Sequence, residues 1–201
     1  MWYMPTSAAG SPRERLLAAA TAYVAEHGLG AVSLRQLATA LGTSHRMLIY
    51  HFGSRDGLLV EVVRAVEQRQ RAAFAELLQG AGDEEPLDVM RRLWRRFVDT
   101  SQAPYERLFF ELYGRALQGD PAAAPLLDGI VASWLPPLTE LCERAGFDPE
   151  TAQAQARLQV AVTRGLLLDL LATGDRTAVQ AAIDHYVDML ELRLAASARR
   201  Q

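Results

Sequence analysis

The sequence has one cysteine, no lysine and no apolar run long enough to cross a membrane. Cys142 stands alone among 201 residues, which excludes an intramolecular disulfide and a multi-thiolate zinc site. The best apolar run, 166–172, is interrupted by Asp169 and is far shorter than the roughly 20 residues that span a bilayer. The first twelve residues carry no lysine or arginine, so no export signal is predicted. We therefore expect a soluble, cytoplasmic chain.

Signatures of catalysis are also missing. No glycine-rich phosphate loop follows a strand, and no His/Cys cluster has the spacing of a metal site. Cys142 has no histidine close in sequence, but the fold could bring His185 close to its thiol. We expect no enzyme, no cofactor and no metal. An uncharacterised small-molecule enzyme is kept as one alternative, and a helical dimer that acts through protein partners is another.

Charge is distributed unevenly along the chain. The net charge is −3, yet the first 60 residues hold five arginines against three acids, and the remainder holds 16 arginines against 21 acids. All 21 basic residues are arginine, whose planar guanidinium suits phosphate and guanine. The arginine-only composition also fits a GC-rich coding sequence. The excess of positive charge marks the N-terminal end as the candidate for contact with a polyanion.

Apolar residues recur at helical spacing, and no stretch alternates long enough to predict a half-buried strand. The sequence therefore predicts an all-α chain of about nine helices. After a flexible arm at 1–10, helices are predicted at 12–27, from Ser33 to Gly42, after Ser44, and at 55–79, 86–101, 104–118, 121–145, 148–173 and 176–198. The pair Pro136-Pro137 must kink or split the helix at 121–145.

The segment 33–52 has the pattern of a helix-turn-helix. Ser33 and Gln36 form a capping box, and Gly42 can adopt the left-handed conformation of a tight interhelical turn. The second helix is about 12 Å long, which matches the width of a major groove. Its inward positions are Met47 or Leu48, and Phe52. A carboxylate-free surface is left facing outward, which is what a polyanion would select; it consists of His45, Arg46, Tyr50 and His51. A solvated face on an ordinary helical hairpin is the alternative.

Residues 11–66 resemble the DNA-binding domain of the TetR family of transcriptional regulators. The resemblance rests on Val32-Ser33, Leu37-Ala38, Gly42-Thr43-Ser44, the run from Leu48 to Phe52, and the run from Ser54 to Leu58. It implies a DNA-binding domain at 11–60 and a helical effector-binding and dimerisation domain at 61–201. It also implies a repressor that is released from a pseudo-palindromic operator by a small apolar or amphipathic effector.

By position, the resemblance also implies which residues contact DNA. Ser33, Arg35 and Ser44 would touch backbone phosphates, as would Arg55, where the family often has lysine. Base edges or phosphates would be met by His45, Arg46, Met47, Tyr50 and His51. Ile49 stands where the family often has an aromatic residue whose hydroxyl contacts the DNA backbone. That contact is therefore lost or moves to Tyr50. Arg46 replaces a residue that is often small, and a guanidinium there could read guanine.

Two further sites are expected in the C-terminal part. A single helix-turn-helix reads too little sequence to be selective, so a homodimer is required. The last two helices offer its interface, through Leu166, Leu170, Ile183, Val187, Leu190 and Leu194; burial of both stripes within one chain is the alternative.

The resemblance implies an effector pocket in the aromatic-rich segment 86–145, with Trp94, Phe97, Phe109, Phe110, Tyr113 and Trp134 as candidates. Asp169, on an otherwise apolar stripe, either faces that cavity or lies on a surface seam.

Overall fold

The computed structural model describes residues 10–27, 33–82 and 84–198, and the regular secondary structure within these ranges is entirely helical. The all-α prediction is therefore confirmed. Nine α-helices lie in these ranges: α1 Pro12–His27, α2 Leu34–Ala40, α3 His45–Phe52, α4 Arg55–Gly80, α5 Pro86–Phe97, α6 Ala103–Leu117, α7 Leu135–Arg144, α8 Pro149–Thr173 and α9 Arg176–Ala198. The predicted arm falls almost wholly outside the described residues, as does Val32 of the family pattern.

Side-chain caps determine where the first three helices begin. Ser11 Oγ accepts a hydrogen bond from the Glu14 backbone at 3.2 Å. Ser33 Oγ accepts from the Gln36 backbone at 3.3 Å, and Gln36 Oε1 accepts in return from the Ser33 backbone at 2.8 Å. The predicted capping box is therefore confirmed. Gly42, with a φ of +63°, makes the turn between α2 and α3, in a conformation that costs glycine little.

The segment 121–145 differs from the prediction. Only α7 is α-helical there, and it is preceded by two short 3₁₀ turns at Ala124–Leu127 and Ala132–Trp134. Pro136 and Pro137 occupy the first turn of α7, where the missing N–H groups have no helical partner to lose. The prolines therefore start this helix instead of kinking a longer one. Similarly, the helix predicted at 86–101 ends at Phe97, and a 3₁₀ turn at Thr100–Gln102 follows it.

Two clusters of buried apolar side chains hold the helices together. One joins the end of α4 with α5, α7, α8 and α9 around Phe74 and Leu141. The other joins α1 to α3 and the start of α4 with α6 and the segment 123–130, around Leu48 and Leu112. The second cluster runs across residue 60, so the helix-turn-helix shares its core with α6. The expected boundary between the two domains at residue 60 therefore does not coincide with a boundary between two hydrophobic cores.

None of the helices in the described ranges is long and apolar enough to cross a bilayer. Among the same residues, no three side chains of the His, Cys, Asp and Glu types are grouped as metal ligands would be.

Candidate nucleic-acid interface and effector cavity

Helix α3 is anchored by two side chains and presents the rest of its length outward. Leu48 is fully buried and Phe52 is 9% exposed, and both belong to the core shared with α4. Leu48 is therefore the inward residue and Met47, 39% exposed, is not. His45 and Arg46 are exposed, and Tyr50 is 79% exposed. The structure thus brings three of the four hydrogen-bonding side chains predicted for this surface to the outside of one short helix.

His51 is turned further inward than the sequence predicts. The residue is half-buried, and its Nε2 is buried without a hydrogen-bond partner among the described residues. The imidazole ring meets the Tyr50 ring edge-on, with the ring centroids 4.9 Å apart. The prediction that His51 faces fully outward is corrected, because position 51 lies beside Phe52 at the boundary between the buried and exposed faces of α3.

The candidate phosphate contacts lie at the starts of three helices. Ser33 and Ser44 cap α2 and α3, and both residues are exposed; Ser44 Oγ accepts from the Met47 backbone at 3.2 Å. Arg35 is exposed in the first turn of α2. Arg55 is half-buried at the first position of α4, with Nη1 3.6 Å from Asp56 Oδ1. Its positive charge is therefore placed directly after the turn that follows α3.

Asp56 ties the start of α4 to the end of α6. Both Asp56 oxygens accept hydrogen bonds from the guanidinium of Arg115, at 2.7 and 3.2 Å. The same guanidinium binds Asp120 Oδ2 at 2.6 and 2.8 Å. The hydrogen bond from Arg115 lowers the pKa of Asp56, which keeps this carboxylate charged. Sequence reasoning missed this bridge, because Arg115 and Asp56 are far apart along the chain.

Gly57 is a second feature of this junction that spacing does not reveal. A Cβ atom built at position 57 would lie 2.2 Å from the backbone oxygen of Phe52, the last residue of α3. Real side chains do not approach a backbone oxygen so closely, so any larger residue must push α3 away from α4. The lack of a side chain at Gly57 therefore allows the close packing of α3 on α4.

A cavity of about 50 Å³ lies between α4, α6 and α8, next to α5 and α7. This volume holds a few water molecules and excludes a drug-sized ligand unless the helices separate. Its apolar lining is Leu93, Phe109, Trp134, Leu138, Val160 and Leu167. Its polar lining, none of it foreseen from the sequence, is Glu67, Gln70, Glu106, Gln159, Thr163 and Arg164.

The predicted pocket residues divide between the cavity wall and other places. Phe109 and Trp134 line the cavity, whereas Phe110 and Tyr113 are half-buried and pack against core residues. Trp94 is buried next to a smaller neighbouring cavity that also touches Gln159. The side chain of Phe97 lies outside the described residues. Asp169 is exposed on the outer face of α8, so the expectation that it faces the cavity is corrected in favour of the surface.

Two carboxylates in the cavity wall have perturbed pKa values. Burial raises the pKa of Glu67, even though its carboxylate accepts from Trp134 Nε1 at 2.7 Å and pairs with Arg71 at 3.2 Å. Burial also raises the pKa of Glu106 to about 7, with the nearby negative charge of Glu67 acting in the same direction. Titratable groups whose pKa values are perturbed and that lie in a cavity mark a candidate binding site.

Comparison with known proteins supports the resemblance over the N-terminal part of the chain. Residues 16–62 match the sequence model of the family described as bacterial regulatory proteins, tetR family. The segment 16–62 therefore carries the sequence pattern of the TetR family. This confirms the resemblance carried by the capping box, the turn and the start of α4.

Individual proteins resemble the chain in sequence and in structure. The HTH-type transcriptional regulator BetI of Stenotrophomonas maltophilia is 30% identical over 90 residues, which are 45% of this chain and 45% of that protein. The match therefore spans just under half of either length. A transcriptional regulator from Rhodococcus sp. Rha1 superposes with a TM-score of 0.72 at 21% identity, over 89% of this chain and 95% of that chain. Thermus thermophilus FadR, a TetR-family repressor in complex with lauroyl-CoA, superposes with a TM-score of 0.65 at 17% identity, over 89% and 92%. At these identities the two structures establish the fold.

The predicted dimer-interface residues are largely core residues of the single chain. Ile183, Val187 and Leu190 are between 2% and 7% exposed. Leu166, Leu170 and Leu194 are half-buried and pack against the cluster of α5, α7, α8 and α9. Side chains that are already buried offer no surface to a second subunit. The apolar stripe at positions 183, 187 and 190 is therefore reassigned to the inside of the chain.

Cys142, the one candidate nucleophile of the enzyme alternative, is fully buried on the inward face of α7. Burial raises the pKa of its thiol to about 11. At neutral pH the side chain is therefore an uncharged thiol and a weak nucleophile. His185, the partner left open by the sequence, is exposed on α9.

Proposed function

We propose that this chain is a dimeric, sequence-specific DNA-binding regulator of transcription. It represses by occupying a pseudo-palindromic operator and is released by a small effector bound between α4, α6 and α8. The observation that carries the proposal is the outward surface of α3, where His45, Arg46 and Tyr50 are exposed on a helix without a carboxylate. A helix of eight residues with such a surface fits a major groove in length and in charge.

In this proposal, arginine side chains and the N-termini of the helices contact the phosphate backbone of the DNA. Arg35 is exposed at the start of α2, and Arg55 lies directly after the turn that ends α3. Such contacts fix the register of α3 on the duplex and do not themselves read sequence. Arg46 and Tyr50 are the candidates for reading base edges, because both are exposed on α3 and both carry hydrogen-bond donors.

The salt dependence of DNA binding tests this division of roles. If each subunit of a dimer neutralises around four phosphates, the logarithm of affinity should fall with the logarithm of salt concentration at a slope of roughly −7. Arg55→Ala should make the slope shallower by about 1 for each subunit and leave the preferred sequence unchanged. Anisotropy titrations of a labelled duplex at several salt concentrations measure both. Arg96→Ala, at an exposed site on α5, is the control, and an Arg55 variant with an unchanged slope removes Arg55 from the backbone contacts.

The proposed dimer interface is the outer face of α8 and α9. Six small or apolar residues follow one another at spacings of four and three along α8: Ala154, Leu158, Ala161, Gly165, Leu168 and Ala172, all of them exposed. Helix α9 carries a second such stripe, exposed except at its half-buried last residue: Ala178, Ala182, His185, Met189, Leu192 and Ala196. Leu158, Leu168, Met189 and Leu192 are between 48% and 69% exposed. Because α8 packs beside α9, a second copy related by a two-fold axis would cover both stripes and form four packed helices.

Charges placed in this face should separate the dimer. Leu158→Glu combined with Leu192→Glu buries unpaired carboxylates in any dimer that uses the two stripes, so we expect a folded monomer with greatly weakened operator binding. Sedimentation gives the mass, and circular dichroism reports the helices. Leu117→Glu, at a 65% exposed site at the end of α6, is the matched control and should stay dimeric. A double variant that keeps the dimer mass would place the interface elsewhere.

Helix α6 offers the route by which an effector would act on DNA binding. Glu106 and Phe109 line the cavity from α6. On the same helix, Tyr105 donates a hydrogen bond to the backbone oxygen of Thr21 in α1 at 2.9 Å, and Arg115 binds Asp56 at the start of α4. A ligand that separates α6 from α4 would therefore shift both attachments of the helix-turn-helix. Linkage requires that such a ligand be weakened by operator binding to the same degree as it weakens operator binding.

A further inference from the structure

The cavity wall contains buried hydrogen-bond acceptors, one of which has no donor among the residues that the structure describes. Glu106 lies in it at 9% exposure and accepts from Gln70 Nε2 at 3.2 Å. Gln159 is 7% exposed, and its Oε1 is buried without a hydrogen-bond partner in the part of the chain that the structure describes. An unpartnered buried oxygen is costly, and its presence in a cavity wall points to a missing donor. The carboxylate of Glu67 adds a further acceptor.

The cations near the cavity already have partners. Arg164 Nη2 donates to the backbone oxygen of Ile130 at 2.6 Å, and its guanidinium lies 5.2 Å from the centroid of the Phe109 ring. Arg71 pairs with Glu67 and lies 5.9 Å from the centroid of the Trp134 ring. One face of each of these two aromatic rings thus already carries a guanidinium group. The buried oxygen atoms of the wall are the remaining groups through which a ligand can be recognised by hydrogen bonds.

We propose that this cavity binds a small protonated primary or secondary amine, which donates its N–H groups to Glu106 and Gln159 and places an apolar substituent against Leu138 and Leu167. This inference rests on the proposed function, in which the cavity holds the effector. An ammonium group supplies both the missing donor and a positive charge for the carboxylates. A quaternary ammonium has no N–H to donate to these oxygen atoms.

The ionisation of Glu106 gives the site a pH signature. Glu67 from α4 and Arg164 from α8 face Glu106 with opposite charges, and burial dominates in raising its pKa to about 7. A protonated Glu106 attracts an ammonium less than a carboxylate does. Affinity for an amine that stays protonated should therefore rise as pH increases from 6 to 8, by up to about tenfold for each pH unit below the pKa.

Isothermal titration calorimetry of the full chain with n-butylammonium tests the proposal without DNA. We expect binding of n-butylammonium, and at least roughly tenfold weaker binding of butan-1-ol, butanoate and butyltrimethylammonium. Glu106→Gln keeps the side-chain volume and removes the charge, and it should weaken the amine at least about tenfold and abolish the rise with pH. Glu111→Gln, at an exposed position on the same helix, is the matched control and should bind like the parent chain.

Three results would overturn the inference: no binding of n-butylammonium, binding that Glu106→Gln leaves unchanged at all pH values, or equal affinity for butyltrimethylammonium, which would exclude recognition through N–H groups. Operator binding, measured separately, distinguishes this inference from the proposed function. If the chain binds a specific duplex but no amine, the proposed regulatory function stands and the amine inference is wrong. If the chain binds the amine but no specific duplex, the proposed regulatory function is wrong.

Discussion

Replacing both Arg46 and Tyr50 with alanine should abolish sequence-specific DNA binding and leave the chain folded and dimeric. Both side chains are exposed on α3, and neither belongs to the buried core around Leu48. A good side-chain contact to a base is worth about 1 to 3 kcal/mol, and a dimer presents each side chain twice. Four lost contacts should therefore weaken binding to the preferred duplex by roughly a thousandfold or more.

The control for this pair of substitutions is Arg96→Ala, which also removes an exposed guanidinium but lies on α5. Anisotropy titrations at one fixed salt concentration compare the three proteins on the preferred duplex and on a scrambled one. Affinity for the scrambled duplex should fall far less, because Arg35 and Arg55 remain available to the phosphates. A double alanine variant that still prefers the specific duplex would show that α3 is not the reading element.

The second large effect concerns stability: Glu106→Gln should make the chain more stable at pH 8. Glu106 is 9% exposed, and burial raises its pKa from 4.5 to about 7. Above pH 7 the folded chain must hold a buried charge that the unfolded chain hydrates freely. The amide avoids this cost, which is on the order of 3 kcal/mol, and Gln70 can still donate a hydrogen bond to it.

The direction of the pH dependence follows from the raised pKa. Below pH 4.5 the carboxyl group is protonated in both states and contributes no difference. Between pH 4.5 and about 7 the folded state keeps a proton that the unfolded state releases, so the free energy of unfolding falls as pH rises. Urea denaturation at pH 5 and pH 8 should show a large stabilisation by Glu106→Gln at pH 8 and a small one at pH 5. Glu111→Gln should show neither, and a Glu106 variant with the same gain at both pH values would contradict the assignment.

The helix-turn-helix could be predicted from sequence because its signals are local. Ser33 and Gln36 cap α2 within one turn, and Gly42 makes the following turn with a positive φ. Only the degree of exposure of His51 was wrong, because position 51 lies at the edge of the buried face. Spacing assigns a residue to a face of a helix and leaves residues at the edge of that face undecided.

The proposed dimer face could not be assigned in the same way, because α9 carries two stripes of residues at helical spacing. Ile183, Val187 and Leu190 have helical spacing, and so do His185, Met189 and Leu192. Larger aliphatic side chains make the first stripe the stronger signal for an interface. That stripe is already buried against α5 and α7 within the chain. Which stripe faces the chain's own core depends on the packing of distant helices, and no local pattern records it.

The cavity was inaccessible to sequence reasoning for a related reason. Glu67, Glu106 and Gln159 lie on three different helices, and each looks like a solvent-exposed residue of an amphipathic helix. The aromatic residues that drew attention to segment 86–145 are mostly packing residues, although Phe109 and Trp134 do line the cavity. Polar residues become candidates only when packing shows that they are buried together.

Selection of bound DNA from a random pool by the full chain at physiological salt tests the central claim most directly. A dimer with α3 in successive major grooves should recover an inverted repeat whose half-sites are centred one helical turn apart, or a multiple of it, at about 34 to 36 Å per turn. Recovery of that repeat, lost with Arg46→Ala and Tyr50→Ala, is the predicted result. Recovery of no common sequence, or of a single asymmetric half-site protected by one subunit, would contradict it.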